Sequence, residues 1–258
     1  MTGIRAESRA TDGATVARRA TAYAVHLYTA SGVAIAFWAV AEVASAAPDP
    51  RFVFILLAIA VIIDSTDGPL ARRCNVKRWA PNIDGRTIDD IVDYLTFTFV
   101  PLLLVWRMDW LPEPAWLWIV AALIASLFGF ANTGAKDETG GFFLGFPSYW
   151  NVVAFYLGIW YFMFGPWINA VSVLLLILLT VVPVGFIYPN LAPRPWRLVL
   201  TIGALVWLVV CLAMLAEYPH PPEWMMWVSL LYPALYVGVS IWLWRARTGS
   251  SVRSAPAQ

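Results

Sequence analysis

The feature that most limits how this chain can fold is a succession of apolar segments, each about 20 residues long and separated by short loops. A segment of this length crosses the hydrocarbon core of a bilayer as one α-helix. Charged residues make up only 13% of the chain, about half the share in a soluble domain. We therefore expect an all-α fold, a polytopic membrane helix bundle. Its eight transmembrane helices are predicted at residues 22–46, 52–71, 86–106, 115–133, 148–165, 167–186, 198–217 and 224–244.

Three of these segments have features that allow a second interpretation. The first is preceded by Arg18 and Arg19 and ends in small residues, as a secretory signal peptide does. It is longer than the roughly 7–15 apolar residues of a signal-peptide core, so we interpret it as a membrane span. The fifth and sixth segments are separated only by Gly165-Pro166, which favours two helices joined by a tight turn over one very long helix.

The positions of the basic residues predict the orientation. Lys and Arg collect in the cytoplasmic loops of membrane proteins. With eight crossings, all 17 basic residues except Arg51 and Arg107 lie on one side, so both termini are predicted to be cytoplasmic. We expect a mobile N-terminal segment at 1–20, a single transmembrane catalytic domain at 21–246 and a disordered C-terminal tail at 247–258. A net charge of +1 without a basic domain gives no indication of a nucleic-acid partner.

Acidic residues cluster where a bilayer should tolerate none. Asp64 and Asp67 lie three residues apart near the cytoplasmic end of the second span, and Asp89 and Asp93 lie four apart at the start of the third. Residues at these spacings share one face of a helix. Because the two helices are antiparallel and joined by a short loop, we expect the four carboxylates to meet just below the membrane surface.

Four like charges at close range repel one another, and burial increases the cost. A divalent cation removes the repulsion, and oxygen ligands without His or Cys favour magnesium, manganese or calcium over zinc. Two ions about 4 Å apart suit a displacement at phosphorus. The alternative is that these residues only cap helix ends or pair with the arginines nearby, Arg72, Arg73 and Arg86.

Two further acids in the same stretch are left out of the predicted metal site. Asp84 lies in the loop, where it is placed to cap the third span. Asp90 points about 100° away from Asp89 around the helix.

These residues form a recognisable pattern. It reads Asp64-Ser-Thr-Asp67-Gly68-Pro-Leu-Ala71-Arg72, then twelve residues, Gly85, three residues, Asp89, three residues and Asp93. The pattern resembles the signature of the CDP-alcohol phosphotransferase family, in which the gap after the Arg is usually eight residues. The gap of twelve is similar to that of the bacterial branch that uses choline as acceptor. Residues 24–32, 80–82 and 136–151 are also similar to that branch, and the resemblance covers most of 22–190.

The resemblance implies an activity and roles for the acids. Members of the family transfer a phosphatidyl or similar group from a CDP-linked donor to an alcohol, release CMP and require magnesium or manganese. By position, Asp64, Asp67 and Asp89 would be metal ligands for two ions. Asp93 would be the general base that takes the proton of the alcohol, and would also contact the second ion. A carboxylate within hydrogen-bond reach suits the weakly nucleophilic choline hydroxyl.

The small and basic residues of the pattern would bind the CDP donor. Gly68 and Ala71 would let the nucleotide approach the helix backbone, although small residues in membrane helices also serve helix packing. Arg72 would donate two hydrogen bonds to the diphosphate, or alternatively pair with Asp64 or Asp67. Gly85 would let the chain enter the third span close to the site.

A choline pocket should contain aromatic faces and a carboxylate, because a quaternary ammonium cannot donate an ordinary hydrogen bond. The candidates on the predicted cytoplasmic side are Tyr28, Tyr94, Glu138 and Trp150. The alternative for each is a packing or interface residue. His26 lies one turn into the first span and is open to a functional role or to a hydrogen bond with a neighbouring helix.

The resemblance implies CDP-diacylglycerol and choline as substrates, membrane lipid as surroundings and a homodimer as assembly. It places the chain in the bacterial inner membrane, with the site at the cytoplasmic face. A second possibility is the same chemistry with serine, glycerol phosphate or an inositol compound as acceptor. A third is a cation or proton transporter whose carboxylates line a path. The two cysteines, Cys74 and Cys211, are expected to be free thiols.

Overall fold

The computed structural model describes residues 2–137 and 141–253. Its architecture is almost entirely helical, which confirms the all-α prediction. The described residues contain ten α-helices and a π-helical segment at Tyr94–Phe99 that joins α4 to α5. The α-helices are α1 (Thr2–Val43), α2 (Pro50–Arg73), α3 (Val76–Trp79), α4 (Gly85–Asp93), α5 (Val100–Arg107), α6 (Ala115–Ala131), α7 (Trp150–Phe164), α8 (Pro166–Val181), α9 (Trp196–Ala216) and α10 (Glu223–Arg253).

Each of the eight predicted spans overlaps a helix or the helical stretch from α4 through α5, although the sixth predicted span extends beyond α8 into β3. Four helices are long and apolar enough to cross a membrane, at Thr15–Val43, Pro50–Arg73, Trp196–Ala216 and Glu223–Thr248. Three shorter helices, α6, α7 and α8, are also apolar. The chain is therefore a multi-pass membrane protein.

Local sequence explains where several helices begin and end. The side chain of Asp49 accepts a hydrogen bond from the Arg51 N–H, and Pro50 opens α2. Gly165 has φ of 81°, which ends α7, and α8 begins at Pro166. The predicted division of that apolar run into two helices is therefore confirmed.

Residues 1–100 form one compact unit. In it, α1 packs along α2 and α4. The side chain of Val92 on α4 fits against Gly32 on α1, where any larger residue would collide with it. A buried cluster of Ala22, Val25, Val76 and Ala80 joins α1 to α3.

Residues 101–258 form the second compact unit, which contains a small antiparallel sheet. Its strands are β1 (Lys136–Asp137), β2 (Phe142–Leu144) and β3 (Gly185–Ile187), in the order β1-β2-β3. Phe142 and Ile187 pack in a buried cluster with residues of α9 and α10. The sequence analysis predicted no strand, because runs of two or three apolar residues are indistinguishable from the ends of membrane spans.

The first helix is longer than its predicted span. It begins at Thr2, whereas hydropathy marks only the part from residue 22. The remaining division of the chain, with one catalytic domain at 21–246 and a disordered tail from 247, stays a prediction. Residues 254–258 of that tail lie outside the described residues.

Candidate metal and donor-binding site

Three carboxylates meet between α2 and α4 in the first unit. Asp64 comes from α2, and Asp89 and Asp93 come from α4. One carboxylate oxygen of each lies within 4.8 Å of the other two, and all three side chains are half-buried. Three of the four acids predicted to meet are thus brought together. Such a group of oxygen ligands matches the preference of a hard divalent cation.

Asp67 lies one turn from Asp64 on α2 but is not part of this group. It is the most buried of the four acids, with 6% of its surface exposed. It forms no hydrogen bond or ion pair with any described residue. Its carboxylate oxygens are not fully enclosed by the chain, so they can be reached by a ligand.

The donor chemistry therefore fits a divalent metal. The ligand atoms are carboxylate oxygens, a set typical of magnesium and manganese. Three like charges within 4.8 Å of one another repel, and a bound cation replaces this repulsion by attraction.

The two acids left out of the predicted metal site have other roles, as predicted. Asp84 caps α4, because its carboxylate accepts hydrogen bonds from the Arg86 N–H at 3.0 Å and the Thr87 hydroxyl at 2.8 Å. The Thr87 hydroxyl, followed by the Arg86 N–H, lowers the pKa of this exposed carboxyl. Asp90 pairs with Arg86 across one helical turn, at 3.7 Å.

The surface of α2 beside Gly68 is open. A Cβ atom at Gly68 would meet only Nη1 of Arg72, at an ordinary contact distance of 3.5 Å. Packing within the described chain therefore does not require glycine here. Arg72 is exposed and forms no ion pair with Asp64 or Asp67, the alternative left open by the sequence. Space and a guanidinium group thus lie together on α2, one turn after Asp67.

Ala71 has a packing role. It packs against the buried cluster of Ala22, Val25, Val76 and Ala80 that joins α1 to α3. Its small side chain therefore serves the close approach of these helices.

Gly85 is required by a contact that the sequence analysis did not predict. A Cβ atom at Gly85 would lie 2.8 Å from Cε1 and 3.1 Å from Nδ1 of His26. The imidazole is 8% exposed, and its Nε2 has no hydrogen-bond partner among the described residues. Gly85 thus lets the His26 ring lie against the first residue of α4, four residues before Asp89. The sequence indicated a role for His26, because it is an ionisable residue inside a predicted span, but not which residue it contacts.

Two of the choline candidates belong to the same unit as the acids. Tyr28 is half-buried, and its hydroxyl hydrogen-bonds Thr66 at 2.8 Å, between Asp64 and Asp67 in sequence. Tyr94 is half-buried, directly follows Asp93 and begins the π-helical segment.

The other two choline candidates, Trp150 and Glu138, are not among the described residues of the first unit. Trp150 lies in the second unit and is fully buried. Its indole N–H donates to the Ser126 hydroxyl at 2.7 Å, and Phe146 packs edge-on against its ring. These contacts are those of a core residue. Glu138 lies outside the described residues. Both cysteines are free thiols, as predicted.

Comparison with known proteins gives matches over most of the chain. The chain is similar to the phosphatidylcholine synthase of Pseudomonas aeruginosa, with 34% identity over 87% of this chain and 92% of that protein. It is also similar to the phosphatidylcholine synthases of Rhizobium meliloti, with 34% identity over 84% and 88%, and of Legionella pneumophila, with 33% identity over 88% and 88%. A scan of protein-family models gives no match.

Proposed function

The chain belongs to the phosphatidylcholine synthase family, and we propose that it transfers the phosphatidyl group of CDP-diacylglycerol to choline and releases CMP. The observation that carries this proposal is the group formed by Asp64, Asp89 and Asp93 at one end of two membrane helices. Carboxylates gathered in this way can hold a cation next to a diphosphate and also leave one carboxylate to act as a base.

The donor binds along α2. Gly68 leaves room for the nucleotide against the helix backbone, and the planar fork of Arg72 donates two hydrogen bonds to the diphosphate. The open space beside Gly68 and the absence of an Arg72 ion pair within the described chain support this assignment. Ala71 and Gly85 assist indirectly, by setting how closely α1, α3 and α4 approach.

Asp64, Asp67 and Asp89 would hold magnesium or manganese, two ions in all, and Asp93 would also be a ligand of the second ion. When bound, the metal supplies positive charge that stabilises the diphosphate and the leaving CMP. The carboxylate of Asp67 forms no hydrogen bond or ion pair with a described residue, which supports its inclusion among the ligands, although it lies outside the group of three.

Asp93 acts as the general base. Its carboxylate accepts the proton of the choline hydroxyl while the hydroxyl oxygen attacks the phosphorus that carries diacylglycerol. The bond from this phosphorus to the CMP oxygen breaks, and CMP leaves with the electron pair. Asp93 is half-buried and its carboxylate lies beside those of Asp64 and Asp89, where an alcohol bound near the metal would come within its reach.

The ammonium of choline lies against the faces of Tyr28 and Tyr94. Both rings are half-buried. Tyr94 directly follows Asp93 in sequence, and Tyr28 hydrogen-bonds Thr66, which lies between Asp64 and Asp67 in sequence. A quaternary ammonium near such a face is stabilised by the ring quadrupole. Trp150 has no exposed face for this purpose, and the role of Glu138 stays a prediction.

The site faces the cytoplasm from the bacterial inner membrane. This placement is supported by the basic residues, which under the predicted topology collect on the side where α2 ends and α4 begins. There a soluble acceptor can meet a donor embedded in the bilayer. The homodimer stays a prediction.

The proposal is tested by incubating purified protein with CDP-diacylglycerol and manganese, with choline or serine as acceptor, and measuring CMP release. We expect release with choline and none above background with serine. Release with serine but not with choline would contradict choline as the acceptor, while the proposed phosphatidyl transfer would still stand. If no alcohol gives CMP release, the proposed transferase activity is contradicted and the alternative of a cation or proton transporter is favoured.

A further inference from the structure

A basic cavity of about 500 Å³ lies in the first unit, apart from the acidic group. It is formed by α1 and by the turn that joins α2 to α3. None of the four acids, Gly68 or Arg72 lines it. Three arginines do, together with one aromatic ring: Arg18, Arg73, Arg78 and Trp79.

The turn between α2 and α3 creates the cavity. Asn75 has φ of 50° and ψ of 48°, a left-handed conformation that Asn tolerates better than most residues. This reverses the chain within two residues of Arg73, the last residue of α2. As a result Arg73 and Arg78, on either side of the turn, line one cavity, and Arg18 of α1 completes it.

The indole of Trp79 holds two of the arginines in position. The guanidinium carbon of Arg78 lies 4.9 Å from the centroid of this ring, and that of Arg18 lies 5.3 Å away. Both distances are those of cation–π contacts. The ring thus brings together two like charges from separate helices.

The positive charge of the cavity is not neutralised within the described side chains. No carboxylate lines the cavity, and none of its three arginines forms an ion pair with a residue whose side chain is described. Three guanidinium groups in one small volume repel one another unless an anion is present. Each has planar N–H donors that match the geometry of a phosphate group.

We propose that this cavity binds a phosphate-bearing anion, at a second phosphate site separate from the diphosphate site on α2. The cavity begins where a membrane-spanning helix ends, which is the depth of lipid headgroup phosphates. The headgroup of an anionic phospholipid therefore reaches it from the bilayer, and a soluble phosphate reaches it from water. The inference does not depend on the proposed reaction.

The experiment compares two double variants of the full chain with equal loss of charge. Arg18→Gln with Arg78→Gln removes both guanidinium groups held by Trp79. Arg19→Gln with Lys77→Gln removes two basic residues at neighbouring positions that do not line the cavity. Binding of dihexanoyl phosphatidylglycerol, dihexanoyl phosphatidylcholine, inorganic phosphate and CMP to detergent-solubilised protein is measured by calorimetry at physiological salt.

We expect phosphatidylglycerol to bind the unaltered protein. Its affinity should fall about 25-fold in the cavity variant, roughly fivefold for each arginine. It should fall by less than about threefold in the control, whose two basic side chains do not line the cavity. Inorganic phosphate that displaces the lipid would identify the phosphate group as the recognised part. Phosphate binding without lipid binding would support the site and assign it to a soluble anion.

Three outcomes would overturn the proposal. The first is that neither anion binds. The second is an equal loss of affinity in both variants, which would indicate diffuse surface charge. The third is CMP binding that disappears in the cavity variant, which would place the nucleotide there. If the double variant does not fold, Arg73→Gln, which leaves both contacts to Trp79 intact, should weaken binding about fivefold.

Discussion

Replacing Asp93 by Asn changes the reaction centre with almost no change in shape. The amide fills the volume of the carboxylate, so no cavity forms, and it removes one of three negative charges that lie within 4.8 Å of one another. It cannot accept the proton of choline. Asp64, Asp67 and Asp89 remain to hold metal and, through it, the donor.

The expected loss follows from the role of a general base, which contributes about 10²–10⁴-fold to a rate. This corresponds to about 3–5.5 kcal/mol in activation free energy. We expect kcat to fall by that factor, while KM for CDP-diacylglycerol changes by less than about threefold because donor contacts are retained. CMP release is measured with manganese varied up to saturation, so that a weaker metal site is separated from a slower chemical step.

Asp90→Asn is the matched control, since it makes the same change on the same helix. Asp90 pairs with the exposed Arg86, a contact worth less than about 1 kcal/mol. Its variant should retain activity within about threefold. Normal kcat in the Asp93 variant would refute the assignment of the base. If high manganese fully restores kcat in the Asp93 variant, Asp93 acts only as a metal ligand and not as the base.

Substitutions at Gly85, Gly68 and Tyr28 also test the site. Gly85→Ala should lower the free energy of unfolding by about 1–3 kcal/mol, because its Cβ would lie 2.8 Å from the His26 ring. Thermal unfolding of the double variant with His26→Ala should show recovery, and simple additivity would argue against the contact. Gly68→Ala should change the free energy of unfolding by no more than about 0.5 kcal/mol, since its Cβ would meet only the tip of the Arg72 side chain. It should raise KM for CDP-diacylglycerol, because the methyl group fills space proposed for the nucleotide. An unchanged KM would contradict nucleotide binding at this surface. Tyr28→Phe loses the hydrogen bond to Thr66 but keeps the ring, so KM for choline should change little, whereas Tyr28→Ala should raise it about tenfold. Equal effects of the two Tyr28 changes on KM would contradict the cation–π role.

Features that depend on local sequence were predictable. Hydropathy placed the eight spans because a helix that crosses a bilayer must be apolar over its whole length. The cap at Asp84 and the turn at Gly165 follow from the residue types themselves. The meeting of Asp64, Asp89 and Asp93 followed from helical spacing and a short connection between antiparallel helices.

Features that depend on how separate helices pack were not predictable. A spacing of three residues puts Asp67 about 60° around the helix from Asp64, and only the tertiary structure decides which side chain reaches the group. The contact of His26 with Gly85 joins α1 to α4, whose relation is not encoded in the periodicity of either helix. The burial of Trp150 against Ser126 likewise comes from packing, since an aromatic residue at a predicted membrane interface has the same sequence signal in both roles.

A cation bound by Asp64, Asp89 and Asp93, as proposed above, would link folding to the cell's supply of divalent ions. Anything that binds the native state but not the unfolded chain stabilises the native state by mass action. A cation at one hundred times its dissociation constant contributes about 2.7 kcal/mol, a large part of the stability of a typical domain. Depletion of these ions would therefore lower the stability of the α2–α4 helix pair as well as stop the metal-dependent reaction.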